Sequence, residues 1–200
     1  MKKVLFTLVA VVCATVAQAQ DLGFSVEAGL NLSKYTGDEG DYCSMKPGFN
    51  IGVMVDVPFT DFLYLKSGLK YTQRGAKDED GDYKYKETLG CLQIPIMASY
   101  RLALSDDIEL QANIGPYIAV ALHGHWKEEY GDYEEDDKIE FDDWGYKRFD
   151  FGYVLPSVGV TISNFYVGVS NELGLLNMND DGDNWKVHNY CFSINVGYTL

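Results

Sequence analysis

Eight separate stretches of this chain alternate apolar residues with polar or small residues at a period of two. That period places successive side chains on opposite faces of an extended strand. Most of the stretches reach the roughly 9 to 11 residues that a tilted membrane-spanning strand needs. The pattern predicts an all-β chain whose strands occupy approximately 22–33, 48–57, 62–74, 89–102, 108–123, 148–162, 165–175 and 189–200.

The connections between these strands alternate strictly between short and long. An up-and-down order of strands therefore collects every long loop at one end of the sheet. Outer-membrane barrels have this arrangement, with short periplasmic turns and longer extracellular loops. We predict an eight-stranded antiparallel up-and-down transmembrane β-barrel. Its long, acidic extracellular loops would be 34–47, 75–88, 124–147 and 176–188.

The beginning of the chain has the organisation of an export signal. Two lysines precede a short apolar run, and Ala17-Gln18-Ala19 matches the small-x-small pattern that signal peptidase cleaves. We expect residues 1–19 to be a signal peptide, cleaved between Ala19 and Gln20. Residues 20–200 would then form one outer-membrane β-barrel domain.

The mature chain is strongly acidic. It has 14 basic against 30 acidic side chains, a net charge of −16, and 21 of the acids lie in the four long loops. Nucleic-acid binding requires a basic face, so no nucleic-acid partner is expected.

Charged residues within the strands all fall on the phase opposite to the large apolar residues. A soluble barrel would turn the apolar phase inward around a ligand, whereas a membrane barrel turns it towards lipid. The large apolar residues would overfill a small interior, and the charged phase is rich in glycine and balanced in charge. We therefore predict a lumen charge network of Glu27, Asp56, Lys66, Lys70, Arg74, Arg101, Glu109, Arg148, Asp150 and Glu172.

Several strand segments resemble the PorT-like outer-membrane β-barrel family of Bacteroidetes. They include "LYLKSGLKYTQRGAK" at 63–77, "LQIPIMASYRL" at 92–102, "RFDFGYVLPSVGV" at 148–160 and "FSINVGYTL" at 192–200. The resemblance covers nearly the whole mature chain. It implies an eight-stranded barrel of a family mostly without assigned function, whose namesake assists protein secretion, and it identifies no catalytic residue.

Two groups of residues are candidate metal ligands. Asp78, Asp80 and Asp82 resemble the start of a calcium loop, but this loop does not supply both the bidentate glutamate and the flanking helices of an EF-hand. His123 and His125 are spaced to chelate zinc or copper from one face of a strand. We interpret them as histidines at the rim of the lumen, and we predict no metal site and no cofactor.

A catalytic site has little support in the sequence. His123 with Asp150 or Glu172 would give a base and a carboxylate, but no nucleophile elbow or triad spacing accompanies them. We predict that the protein is not an enzyme. Three cysteines remain after export, and one disulfide from Cys43 to a strand top is a further hypothesis.

The function then falls to the outer loops. Aromatic residues among the acids of 34–47 and 124–147 favour recognition. We expect a binding, adhesion or envelope structural role in the outer membrane, with lipid and an envelope or extracellular protein as partners. The alternatives are an accessory of a protein secretion machinery and, less favoured, an outer-membrane enzyme.

Overall fold

Ten β-strands make up most of the described chain in the computed structural model. The structure describes residues 22–38, 43–131, 133–141, 147–179 and 186–200; the expected signal peptide and its cleavage position lie outside them. No helix in the described ranges is long and apolar enough to cross a membrane. The strands are β1 (Gly23–Gly37), β2 (Lys46–Pro58), β3 (Leu63–Arg74), β4 (Lys77–Asp80), β5 (Tyr83–Ser105), β6 (Ile108–Tyr130), β7 (Tyr133–Lys138), β8 (Phe149–Ile162), β9 (Phe165–Gly174) and β10 (Val187–Thr199).

Eight of the strands close into an antiparallel ring, in the order β1-β2-β3-β5-β6-β8-β9-β10. The ring closes because β1 pairs with β10 along almost its whole length, from Ser25 opposite Thr199 to Gly37 opposite Val187. The predicted eight-stranded barrel is confirmed. The two short strands lie outside the ring: β4 pairs with β5, and β7 pairs with β6.

The ring has two different ends. At the short-turn end, β2 joins β3, β5 joins β6 and β8 joins β9 through connections of two to four residues. The long-loop end carries the other connections, together with β4 and β7.

The outer wall of the ring is apolar. Large side chains on the outward phase are exposed, such as Leu30 at 71% and Val53 at 58%. Exposed apolar surface on every strand of a ring is unfavourable in water and fits a hydrocarbon environment. The predicted assignment of the two phases is therefore confirmed.

A bulge in β8 shifts the phase of that strand. Against β9, the register changes between Leu155 and Val158, and the pairing with β6 shifts at the same level. The extra residue on β8 lies at Pro156 and Ser157, where a proline cannot donate a ladder hydrogen bond. The alternation of apolar residues in the sequence changes phase at the same point, between Leu155 and Val158, as a one-residue bulge requires.

Two of the predicted long loops are instead largely strand. Residues 75–88 contain β4 and the start of β5, and 124–147 contain the end of β6 and β7. The alternation does continue there, as in Tyr83-Lys84-Tyr85-Lys86, but its high charge indicated a solvated loop. Gly81 and Gly131 each adopt φ of 59° in the turns that reverse the chain, a conformation that glycine reaches without strain.

Charged side chains fill the lumen near the short-turn end. The Lys66 Nζ lies 2.7 Å from Glu27 Oε1 and 3.8 Å from Asp56 Oδ2. Arg101 adds a contact of 2.8 Å to Asp56 and one of 3.7 Å to Glu109. We call these five residues the lower network.

A second group, the upper network, is centred on Arg74, whose side chain is 1% exposed. Its guanidinium lies 2.9 Å from Asp150 and 2.6 Å from Glu172. The Lys70 Nζ lies 3.5 Å from the same Glu172. Two positive and two negative charges balance here, as buried charges must. Neutral donors and acceptors complete the group, namely Gln93, Tyr117 and Asn189.

Glycines let neighbouring strands approach, and Gly68 provides a test of closure. A Cβ at Gly68 would collide with the carbonyl oxygen of Val53 and lie 2.9 Å from Met54 Cα, whereas one at Gly23 would meet its nearest atom at 3.5 Å. We expect Gly68→Ala to lose the folded band in unheated detergent gels, because neighbouring backbone cannot yield to a methyl group. Gly23→Ala should keep the band. Equal behaviour of the two variants would contradict the closeness of these strands.

The upper network predicts a large effect of removing Arg74. Arg74→Met should reduce the free energy of unfolding by about 3 to 5 kcal/mol, because it removes the cation that contacts both buried carboxylates and leaves Lys70, beside Glu172, as the remaining cation of the upper network. Arg148→Met, the same change at an exposed arginine, should shift it by less than about 0.5 kcal/mol. Urea unfolding in lipid vesicles measures both values. Similar values for the two variants would show that the lumen charges do not depend on Arg74.

Candidate functional site

Four short strand segments rise above the ring at its long-loop end. They are β4, residues 83–88 of β5, residues 125–130 of β6, and β7, which pair in the order β4-β5-β6-β7. We call this sheet the strand extension. Because antiparallel partners that lie opposite one another share a face, the register assigns every residue of the extension to one of two faces.

The inward face continues the lumen wall of β5 and β6. One of its rows runs Asp78, Tyr85, Glu128, Glu135, and the next runs Asp80, Tyr83, Tyr130, Tyr133. All the charged residues on this face are acidic, and aromatic residues lie among them. Its members are Asp78, Asp80, Tyr83, Tyr85, Glu87, Trp126, Glu128, Tyr130, Tyr133, Glu135 and Asp137.

The outward face continues the lipid-facing wall and carries both signs of charge. Its ion pairs join Lys127 to Glu129 and Glu134, each at 2.8 Å, and Lys84 to Glu129 at 3.8 Å. Hydrogen bonding to Lys127 and its charge hold the pKa of Glu129 below its usual value. The charged residues of this face are Lys77, Glu79, Lys84, Lys86, Lys127, Glu129, Glu134, Asp136 and Lys138, accompanied by His125.

The pKa values of two tyrosines on the inward face are raised by their surroundings, which include neighbouring acids. Partial burial raises the pKa of Tyr83, and the charges of Glu128 and Asp78 raise it further. The Tyr133 hydroxyl donates to Glu135 Oε2 at 2.8 Å, which raises the pKa of that phenol. The rings of Tyr130 and Tyr133 are mostly exposed. The face therefore presents aromatic surface within a negative potential, which suits a positively charged ligand.

The inward face rests on a packed base. The Tyr35 hydroxyl donates to the buried carboxylate of Glu87, and Tyr85 donates to the other oxygen of Glu87 at 3.4 Å. Around Tyr35, a small apolar cluster is completed by Ala76, Met178 and Val187, with Cys43 packed against it. This packing fixes the root of the extension on the long-loop end of the ring.

Most of the strand charges identified in the sequence lie inside the ring. Glu27, Asp56, Lys66, Lys70, Arg74, Asp150 and Glu172 are buried, and Arg101 and Glu109 are partly exposed at the short-turn end. Arg148 differs from the prediction. It precedes β8 and is exposed, with its guanidinium 4.6 Å from the centre of the Phe141 ring. The chain has not yet entered the strand at Arg148, so the alternation does not apply to it.

Two buried charges were missed in the sequence. Lys46 and Glu87 are each 1% exposed on the inward phase of β2 and β5. Lys46 is in phase with Asp56, and Glu87 is in phase with Gln93. Continuing the period of two into the predicted loops would have found both.

The histidines do not lie at the rim of the lumen, contrary to the prediction. His123 and His125 are exposed on the outer wall, and His123 Nε2 lies 3.1 Å from the Tyr71 hydroxyl. A bulge explains the difference: Gly90 pairs with His123 and Cys91 with Ala121, so Leu122 is an extra residue. Beyond a bulge of one residue the inward and outward positions exchange.

The combination of residues considered for catalysis is not assembled. His123 contacts Tyr71 on the outer wall, whereas Asp150 and Glu172 contact Arg74 within the lumen.

The metal and disulfide candidates are also separated. Asp78 and Asp80 lie on the inward face, and Asp82 lies in the turn before β5. Within the described ranges, no group of three or more histidine, cysteine or acidic residues could hold a metal ion. The hypothesis of a disulfide from Cys43 is wrong for this structure, because both strand-top candidates, Cys91 and Cys191, are buried free thiols.

Three solved structures are similar to this chain. The outer membrane enzyme PagL has a TM-score of 0.50 and 14% identity, over 88% of this chain and 99% of that chain. Neisserial surface protein A has a TM-score of 0.49 and 12% identity, over 90% and 100%. The attachment invasion locus protein Ail of Yersinia pestis has a TM-score of 0.46 and 16% identity, over 90% and 100%. At such identities, the similarity to PagL establishes a shared fold and nothing about activity.

The sequence itself matches a family of membrane barrels. No curated protein matches it, but residues 17–180 match the family model described as outer membrane protein beta-barrel domain. That match spans more than half of the chain, and it agrees with the closed ring and its apolar outer wall. The chain belongs to the outer membrane protein beta-barrel domain family and is a protein of the outer membrane.

Proposed function

We propose that the protein is a non-enzymatic binding protein that presents its strand extension to the outside of the cell. The long-loop end faces outward, as in other barrels of this architecture. The inward face of the extension is the contact surface, and a basic segment of an envelope or extracellular protein is the partner.

The observation that carries this proposal is the segregation of charge in the extension. All six charged residues of the inward face are acids, whereas lysines and acids pair on the outward face. A merely solvated sheet has no reason to separate the signs of its charges. Tyrosine and tryptophan between the acids provide the aromatic anchors that protein interfaces favour.

The filled interior suits a barrel whose role is to hold the strand extension in place. Both networks occupy the lumen, and the void between them measures about 30 Å³. A void of that size has room for about one water molecule. The absence of a motif for nucleophilic catalysis in the sequence, and the separation of His123 from Asp150 and Glu172, support a non-enzymatic role.

A role as an accessory of a secretion machinery rests on the sequence resemblance alone. It would place the same inward face against another protein of the envelope. Crosslinking from position 130 in intact cells distinguishes the two, because an accessory would be joined to a component of that machinery.

Neutral substitutions on the two faces test the contact surface. The inward variant carries Asp78→Asn, Asp80→Asn, Glu128→Gln and Glu135→Gln. The matched outward variant carries Glu79→Gln, Glu129→Gln, Glu134→Gln and Asp136→Asn, the same change in net charge. Binding of a short fluorescent lysine-rich peptide to the purified barrel is measured by anisotropy at physiological salt. We expect about tenfold weaker binding for the inward variant, equivalent to about 1.4 kcal/mol, and less than threefold for the outward variant.

Two outcomes would contradict the proposal. Equal weakening by both variants would mean that the peptide follows net charge and that the inward face is no specific surface. Unchanged binding by the inward variant would show that the inward face is not the surface that binds the peptide. Unheated gels verify that each variant is folded before its affinity is compared.

The filled lumen also predicts the electrical behaviour of the barrel. An interior of eight strands is just wide enough for side chains, and here charged pairs occupy it at two levels. We expect the purified protein to give no stable conductance steps in planar bilayers under conditions where a general porin does. Regular steps of constant size would show that the lumen opens and that the protein transports solutes.

A further inference from the structure

A second concave site lies at the fork where β6 changes its neighbour. β6 pairs with β8 up to Val120, opposite Phe149, and with β7 from His125, opposite Lys138. Between these points the flanking chains diverge, leaving a cavity of about 720 Å³. The cavity is lined by Leu122, His123, Gly124, His125, Lys138, Ile139, Glu140, Phe141 and Arg148.

The backbone fixes the walls of this cavity. The amide of Ala121 donates to the carbonyl of Arg148 at 2.7 Å, and the amide of Ile139 donates to the carbonyl of Gly124 at 3.0 Å. Phe141 is buried in the main apolar cluster, and its ring supports the Arg148 guanidinium. The basic side chains of the site are therefore held by hydrogen-bonded backbone and by a buried aromatic ring.

The lining is basic in a chain that is strongly acidic. His123, His125, Lys138 and Arg148 line the cavity together with a single acid, Glu140. Within the described ranges, no carboxylate lies within 4.0 Å of the charged nitrogens of Lys138 or Arg148. Both side chains are exposed, so their charges are available to an anion.

The cavity lies at the upper edge of the apolar wall. Leu122, one of the lining residues, is exposed on the apolar wall. His123 stacks on Tyr71, which contacts Phe49. Aromatic side chains mark the interface of a membrane, where the headgroups of lipids lie. The basic side chains of the cavity lie just above this aromatic level.

We propose that this cavity binds the phosphate group of a lipid in the adjacent leaflet. Arg148 can donate two parallel hydrogen bonds to phosphate oxygens, and Lys138 adds a point charge. His123 and His125 provide further ring N–H donors, and the exposed surface of Leu122 and Val120 receives the acyl chain. Basic pockets on the membrane-facing wall recognise lipid headgroups in this way. The site is separate from the inward face and does not depend on the proposed function.

Retention of lipid A by the detergent-purified barrel tests this assignment. Native mass spectrometry compares bisphosphorylated lipid A with its enzymatically dephosphorylated form in neutral detergent. We expect the wild-type protein to retain the phosphorylated form at least tenfold better. Lys138→Gln with Arg148→Gln should remove that preference. The control is Lys77→Gln with Lys84→Gln, which removes two lysines from the same outward face away from the cavity, and it should change retention less than twofold.

Three results would overturn the assignment. Equal retention of the two lipids would show that phosphate is not recognised. An equal loss in the control pair would show that the whole outward face attracts lipid without a site. Displacement of lipid A by millimolar inorganic phosphate would assign the cavity to a soluble phosphate compound. Unheated gels establish that both double variants are folded, so a loss of retention reports on binding.

Discussion

The contact of Arg74 with Asp150 and Glu172 is the interaction on which the rest of the structure depends. A membrane barrel must turn its apolar side chains outward, so its interior receives the polar ones. In a narrow ring these polar groups lose water and must satisfy one another. Arg74 does so for two carboxylates from different strands, and it thereby joins β3 to β8 and β9 across the lumen.

Much of the barrel follows from the sequence because one physical rule governs it. Hydrocarbon outside and a crowded interior impose a period of two on the side chains of each strand. In β1, Leu30 faces outward and Glu27 faces the lumen, as this rule requires. The rule also indicates the place where it fails: β8 changes phase at Pro156, and the bulge lies there. The number, order and facing of the strands of the ring therefore follow from the sequence.

The strand extension was less accessible because the rule stops at the edge of the membrane. Above that edge neither face needs to be apolar, so alternation such as Asp78, Glu79, Asp80 reads as a charged loop. Pairing makes the pattern visible, since the register sorts acids from lysines between the faces. The histidines were misplaced for a related reason. The sequence around Leu122 does not distinguish a bulge from a continuous strand. One extra residue exchanges the inward and outward facing of every side chain that follows.

That extra residue has a consequence for how such chains can vary in length. The pairing of β6 with β5 passes over Leu122: Ala121 pairs with Cys91, and His123 pairs with Gly90, the residue next to Cys91. A chain shorter by one residue at this point would keep the same partners above and below it. Loss of a residue anywhere else in β6 would exchange the two sides of the wall. At position 122, therefore, the strand can lose one residue without changing which of its side chains face outward and which face the lumen.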